Sequence, residues 1–340
     1  MKYILAIIAL GVLIIVHEFG HFIMAKVNKV KVNQFSLGMG PKIFSYQGKE
    51  TLYSISLLPI GGYVEMLGAH EEVDEENSFS SKSPLRRISI IIAGVFMNFV
   101  LAIGIFTAVL TVHGYADNTV GSLTEGAPLE QAGIEVGSRI TSINGSKVFT
   151  YVDIAANKDL SAGKEVTIGY EYKGVEKEVT VTPEYYTDED GNSKYIVGFT
   201  YGVVENPTLW QGFKQSFKQT ATLINQTVKT IGDLITGKGS FQNDLGGPVT
   251  VVKMSAEAAE SGMWDLLNLV AILSISLAIF NFLPFPALDG GWTILLFIEL
   301  ITRRKVPQKV VTVLNTIGWI CLLGLMLAVT IKDILFPGTY

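Results

Sequence analysis

Four long apolar runs separated by polar chain dominate the sequence: Tyr3 to Ala25, Ile88 to Val112, Leu266 to about Phe285, and Val310 to Ile331. A bilayer's hydrocarbon core, about 30 Å thick, needs around 20 helical residues to cross, so each run predicts a spanning helix. Lys2 ahead of the first run has the look of a signal-peptide start. No A-x-A-like site follows, however, and the run continues through His17-Glu18-Phe19-Gly20-His21, so it is expected to be retained. Residues 30–67 alternate in places as a strand does, as in Thr51-Leu52-Tyr53-Ser54-Ile55-Ser56-Leu57, and are punctuated by Gly38-Met39-Gly40-Pro41 and Pro59-Ile60-Gly61-Gly62. A small β-hairpin or sheet beside the first span is predicted. Residues 116 to about 200 have β-rich runs at Glu165 to Tyr172, Glu176 to Thr182 and Tyr195 to Phe199 and no stretch of spanning length, which predicts a compact domain of about 85 residues. From Leu209 to Ile235 apolar residues recur mostly every three or four positions, predicting one or two amphipathic helices that pack on that domain or lie on the membrane surface.

Composition supports the membrane reading. Of 340 residues 49% are hydrophobic and only 17% charged, against roughly 25% charged in an ordinary soluble chain. A net charge of -5 offers no basic footprint, so nucleic acid is excluded as a partner. The one cysteine, Cys321, rules out a disulfide scaffold and a thiolate zinc site, so any metal must be held by His, Asp or Glu. Glu71 to Glu76 holds five acids in six residues and reads as a solvated loop. Lys and Arg near the span ends number eleven in segments 26–87 and 302–309 and three (Lys2, Lys253, Lys332) on the other side. That asymmetry predicts cytoplasmic placement for the two basic segments, with both termini and segment 113–265 outside.

Ionisable residues within a spanning helix are costly and point to function. The first run holds His17, Glu18 and His21. One helical turn separates the histidines, about 6 Å along the axis, so both imidazoles can reach one cation. Glu18 stands where the carboxylate of H-E-x-x-H metallopeptidases takes a proton from water. A buried polar cluster or a proton relay is the structural alternative. Catalytic zinc usually keeps three protein ligands, so a third must come from elsewhere. The remaining carboxylates near spans are Asp265, Asp289, Glu299 and Asp333. Asp265 and Asp333 fall at outer ends. Asp289, in the inward half of the third span, follows a break made by Pro284 and Pro286 and precedes Gly290-Gly291, and a broken helix can aim polar groups into a membrane cavity. Asp289 could instead be an N-cap for the helix restarting at Gly290.

Taken together, these residues resemble the bacterial site-2 proteases, intramembrane zinc metalloproteases. His17-Glu18-Phe19-Gly20-His21 matches the family's H-E-x-x-H, and Asn281-Phe282-Leu283-Pro284-Phe285-Pro286-Ala287-Leu288-Asp289-Gly290 matches its N-x-x-P-x-P-x-L-D-G. Gly38-Met39-Gly40 looks like the G-x-G of the family's membrane-associated β-loop. Ala93 to Phe99, with Asn98, resembles its second-span motif, and Gly246-Gly247-Pro248 resembles one before the third span. Gly126 to Ile134 followed by Ile140-Thr141-Ser142-Ile143-Asn144-Gly145 looks like a protease-associated PDZ domain, with Gly137-Ser138 where such domains usually carry Gly-Asp.

The resemblance implies a polytopic α-helical membrane protein with four transmembrane helices, a cytoplasmic-side β-loop and one inserted extracytoplasmic PDZ domain. The expected parts are a first membrane half at 1–113 (spans 3–25 and 88–112, β-loop 30–67), the PDZ domain at 114–203, an amphipathic linker at 204–263 and a second membrane half at 264–340 (spans 266–285 and 310–331). It further implies that His17, His21 and Asp289 hold Zn2+, that Glu18 is general base and later proton donor, and that Asn281 holds the substrate backbone or supports the oxyanion. Asn281 has interhelical hydrogen bonding as its plain alternative. The strand around Leu52 to Leu57 could pair with an unwound substrate, or the hairpin could be purely structural. The expected activity is regulated intramembrane proteolysis in the bacterial plasma membrane, in contact with membrane lipid. Expected substrates are single-span proteins such as anti-sigma factors already trimmed by a site-1-type protease, or signal-peptide remnants. The rival is a non-catalytic zinc-containing receptor that binds protein C-termini through its PDZ domain.

Overall fold

The computed structural model describes residues 2–69, 71–187, 193–240 and 245–336. In chain order the elements are α1 (Lys2–Val27), β1 (Val32–Gln47), β2 (Leu52–Met66), α2 (Pro84–His113), β3 (Tyr115–Leu123), α3 (Pro128–Gln131), β4 (Arg139–Ile143), β5 (Ser146–Lys147), α4 (Tyr151–Ala155), α5 (Lys158–Ser161), β6 (Val166–Tyr172), β7 (Val175–Val181), β8 (Glu184–Thr187), β9 (Ser193–Ile196), β10 (Phe199–Val204), α6 (Leu209–Ile235), α7 (Pro248–Ser261), α8 (Met263–Phe282), α9 (Asp289–Thr302) and α10 (Gln308–Leu335). They form two compact units, residues 1–105 with 227–340, and residues 106–226.

Among the described residues four helices, α1, α2, α8 and α10, are long and apolar enough to cross a membrane. The surface of α10 explains why water is the wrong solvent for them. Ile317, Trp319, Ile320, Leu323, Met326 and Leu327 are each at least half exposed, an apolar face that hydrocarbon covers at no cost. The third span ends earlier than its hydropathy suggests. Pro284 and Pro286 offer no N–H to continue the helix, so α8 stops at Phe282 and Asp289 opens a separate helix rather than lying inside the span. At 14 residues, α9 rises about 21 Å, too short for a crossing.

In the membrane unit, α1, α2 and α9 enclose a core of Ala25, Ile88, Ile90, Ile91 and Leu296, together with Val30, Val32 and Phe79 from the adjoining chain. A buried ion pair between Arg87 on α2 and Glu299 on α9 ties the two helices at one end. Asp333 of α10 accepts from the backbone N–H groups of Gly247 and Thr250 at the start of α7, which gives Gly246-Gly247-Pro248 a structural role as the seat of a helix N-terminus.

The strands β1 and β2 are long and bent, so two strands make four rows. Residues 34–37 pair with 52–55 on one side and with 62–65 on the other, while 42–47 covers the far side of 52–56. The run Leu52 to Leu57, expected from sequence to offer a pairing edge, is therefore interior: Tyr53 faces both Phe35 and Tyr46, and Ser54 both Ser36 and Ser45. Among the described residues, the row 62–66 has a strand partner on one side only, which leaves the edge that includes 61–66 open.

The second unit is a six-stranded antiparallel sheet ordered β10-β3-β4-β6-β7, with β5 on β4, and β8 and β9 form a separate hairpin. Its core gathers Val120, Ile140, Ile143, Val166 and Ile168 from β3, β4 and β6, with Leu129 of α3 packed against them. Asn144 and Gly145, both at positive φ, make the tight β4–β5 turn. The amphipathic segment forms a single helix, α6, which docks through Thr222, whose hydroxyl donates to Asp153 at the start of α4.

Candidate metal centre

The helical spacing of α1 puts His17 and His21 on one buried face, with 6% and 7% of their surfaces exposed. Their Nε2 atoms stand 3.2 Å apart. The Pro284–Leu288 turn brings Asp289 to the same point, with its Oδ2 3.1 Å from His17 Nε2 and 3.4 Å from His21 Nε2. This Oδ2 is sealed from solvent. Two imidazole nitrogens and a carboxylate oxygen thus converge on one buried point, where a single cation would engage all three. A tetrahedral zinc ion with bonds of about 2.0–2.1 Å sets its ligand atoms about 3.3–3.4 Å apart, and the observed edges match. Among the described residues this is the group of His, Cys, Asp and Glu side chains able to hold a metal ion.

The capping role that sequence left open for Asp289 is not the one it plays here. Leu288 is the N-cap of α9, Asp289 is the first helical residue, and no side chain caps that end. The turn itself is seated on α10: the Asn315 side chain accepts from the N–H of Ala287, which sits at a φ of +73°.

Neighbouring groups shape the site. The Nδ1 of His21 lies 2.9 Å from the carbonyl of Ile90 on α2. A carbonyl only accepts, so Nδ1 carries the proton and Nε2 is left with its lone pair toward the centre. Gly94, one turn further along α2, is required by space: a Cβ there would lie 2.5 Å from His21 Nε2 and 2.9 Å from His17 Cε1. Sequence reasoning placed Gly94 in a motif without a role. The signal available was its one-turn spacing from Asn98, which puts both on the face of α2 turned to α1.

Glu18 and Asn281 both line a cavity of about 440 Å³ that also exposes His17, His21, Asp289, Tyr63, Trp292 and Trp319. The five residues singled out from sequence therefore share one cavity. Glu18 takes a backbone hydrogen bond from Val64, and a Cβ on Gly62 would approach Glu18 Cγ to 3.4 Å and Ser36 O to 2.9 Å. The open row 61–66 thus runs directly along the acid. Tyr63, Trp292 and Trp319 were not expected from sequence, since nothing in their spacing ties them to the histidines.

A helical H-E-x-x-H pair joined by a distant carboxylate, with a cavity beside the acid and four helices of spanning character around it, defines the class of a membrane metallopeptidase. Comparison with known proteins specifies it further. The profile of Peptidase family M50 matches residues 5–325. "Putative zinc metalloprotease CPE1693" of Clostridium perfringens is 43% identical over 337 residues, covering 99% of both chains. "Probable protease eep" of Enterococcus faecalis is 30% identical, over 98% of this chain and 99% of its own. Among solved structures, the PDZ domain of the SdrC-like protein of Listeria monocytogenes matches 26% of this chain and 88% of its own, at 19% identity and a TM-score of 0.21. The chain belongs to peptidase family M50, the site-2 proteases, and is accordingly a zinc metalloprotease of the membrane.

Proposed function

We propose that His17, His21 and Asp289 hold the zinc ion through Nε2, Nε2 and Oδ2, and that the protease cuts a single-span membrane protein at a segment drawn out along the row 61–66. The convergence of three ligand atoms on one buried point, with Glu18 lining the same cavity, carries this reading. Zinc, when bound, supplies a Lewis acid that acidifies water and polarises the scissile carbonyl. Glu18 takes the proton from the attacking water and returns it to the leaving amine. Asn281, which lines the same cavity, holds the substrate backbone or the developing oxyanion with its amide N–H.

A helical peptide bond is shielded by its own hydrogen bonds, so a substrate must be extended before attack. The open edge at 61–66 offers the backbone groups that an extended segment needs, at the distance of one side chain from Glu18. This replaces the pairing expected for Leu52 to Leu57, since residues 52–55 already have a partner on both sides. Disulfide trapping distinguishes the rows. In a Cys321→Ala, Glu18→Gln background, Tyr63→Cys should cross-link to a cysteine scanned through the substrate, and Ser54→Cys should not. Equal trapping at both positions, or trapping at 54 alone, would show the hairpin to be scaffolding.

We read residues 114–203 as a single PDZ domain. Supporting this is a groove of about 620 Å³ beside β10, lined by Ile154, Leu160, Tyr195, Phe199 and Tyr201, where an extended chain end would fit. The Lys and Arg asymmetry supports an extracytoplasmic place for this domain and a cytoplasmic-side active site in the bacterial plasma membrane. There the domain would reject substrates that an upstream site-1-type protease has not yet trimmed. Anti-sigma factors and signal-peptide remnants are the substrate classes proposed. A receptor without catalysis has no use for an acid at position 18.

Detergent-purified protein mixed with a purified single-span substrate tests the activity. Cleavage is expected, its loss on chelation with phenanthroline, and its return on adding zinc. Cleavage that persists after complete metal removal would exclude a metal mechanism.

A further inference from the structure

Each histidine of the centre needs its remote nitrogen fixed if Nε2 is to face the metal. For His21 the carbonyl of Ile90 does this. For His17 the corresponding group is the side-chain amide of Asn98 on α2, with its Nδ2 3.3 Å from His17 Nδ1. Asn98 has no exposed surface. Its backbone carbonyl accepts from the hydroxyl of Ser274 on α8, so the residue is pinned between α1 and α8. Its Oδ1 is buried and takes no hydrogen bond.

These contacts conflict with a metal-ready His17. An amide N–H donating to Nδ1 requires a lone pair there, which puts the ring proton on Nε2, the atom that must be free to ligate. A half-turn of the amide about Cβ–Cγ exchanges its two ends within the same volume. In that orientation Oδ1 accepts from Nδ1–H, the orphaned oxygen is satisfied, and the Nε2 lone pair faces Asp289.

We infer that Asn98 is the positioning residue for His17: with zinc bound, its Oδ1 accepts the Nδ1 proton and holds the ring in the ligating tautomer. The inference rests on the zinc ligand set proposed above and assigns Asn98 no contact with substrate. The α2 face is then a single device, in which Gly94 makes room for the rings, the Ile90 carbonyl orients one and the Asn98 amide orients the other. Outer partners of metal-bound histidines typically carry 10–100-fold in metal affinity.

The test reads zinc affinity by competition with a chromophoric chelator, on the full-length protein in detergent, with circular dichroism as a folding control. Asn98→Leu keeps the bulk and removes the acceptor, and should weaken zinc about 10–100-fold. Asn98→Asp keeps the acceptor and removes the donor, and should bind zinc within a few-fold of the parent. Should the leucine variant not accumulate in membranes, Asn98→Ser, too short to reach the ring, supplies the same comparison. Parental affinity in Asn98→Leu or Asn98→Ser would overturn the inference. So would an aspartate variant as weak as the leucine one, because a donor role loses with both changes and only an acceptor role is rescued by the carboxylate. Failure of the ligand set itself looks different: Asp289→Ala would then leave zinc bound.

Discussion

Replacing Glu18 with glutamine is expected to abolish peptide hydrolysis while leaving zinc content at the parental level. The change is nearly isosteric and keeps an oxygen for the Val64 N–H, so the row 61–66 should stay in place against α1. What it removes is basicity, since an amide cannot take a proton from water at neutral pH. General acid–base catalysis contributes about 10²–10⁴-fold, and here one carboxylate is asked to act in both proton transfers, so the loss should fall at the upper end. The variant should still bind substrate, which is why it serves as the background for trapping at position 63. The decisive measurement pairs a single-turnover cleavage rate with metal analysis on the same sample. A parental rate would remove Glu18 from the mechanism. A low rate accompanied by lost zinc would make it a ligand or a support rather than the base.

Asp289→Ala is expected to lower bound zinc from roughly one ion per chain toward none, and cleavage with it, because two histidines leave a catalytic zinc site one ligand short. The competing role for this carboxylate is at the start of α9, where an acid in the first turn contributes about 0.3–1 kcal/mol through the helix dipole. Its side chain makes no capping bond there, and its Oδ2 instead meets the two Nε2 atoms. Metal analysis with circular dichroism separates these roles: zinc lost with helix content unchanged supports ligation, and zinc retained returns the residue to the helix end. Asp289→Asn should fall between, since a neutral amide oxygen is a weaker ligand than a carboxylate.

Much of this site was legible because its parts follow local rules. The i, i+4 spacing of His17 and His21 needs only helical geometry, and the expense of burying charge in an apolar run is enough to mark those residues as functional. Asp289 was reachable by elimination among few carboxylates and by the two prolines that break the third span. The break falls earlier than hydropathy predicts. Hydropathy carries on through Phe285 and past Asp289, so the short helix α9 looked like the inward half of a span, whereas missing N–H groups at Pro284 and Pro286 end α8 at Phe282. Strand alternation falls where β1 and β2 lie, but the open edge is at 61–66 and not at 52–57. Alternation tells which residues share a face, and it says nothing about which row has a neighbour on each side.

Sequence alone determined the four apolar helices and the family motifs, with two histidines one helical turn apart and an acid beside them, because hydrophobic length and helical period act on residues close together in the chain. Tertiary structure decided that Oδ2 of Asp289 meets both imidazoles, that the open row 61–66 rather than 52–57 runs beside Glu18, and that Ile90, Gly94 and Asn98 on a second helix frame the rings. Those arrangements depend on where separate helices pack and where a bent strand finds its partners. Contacts between residues as far apart in the chain as His21 and Ile90, or His17 and Asn98, leave no periodic trace in the order of amino acids.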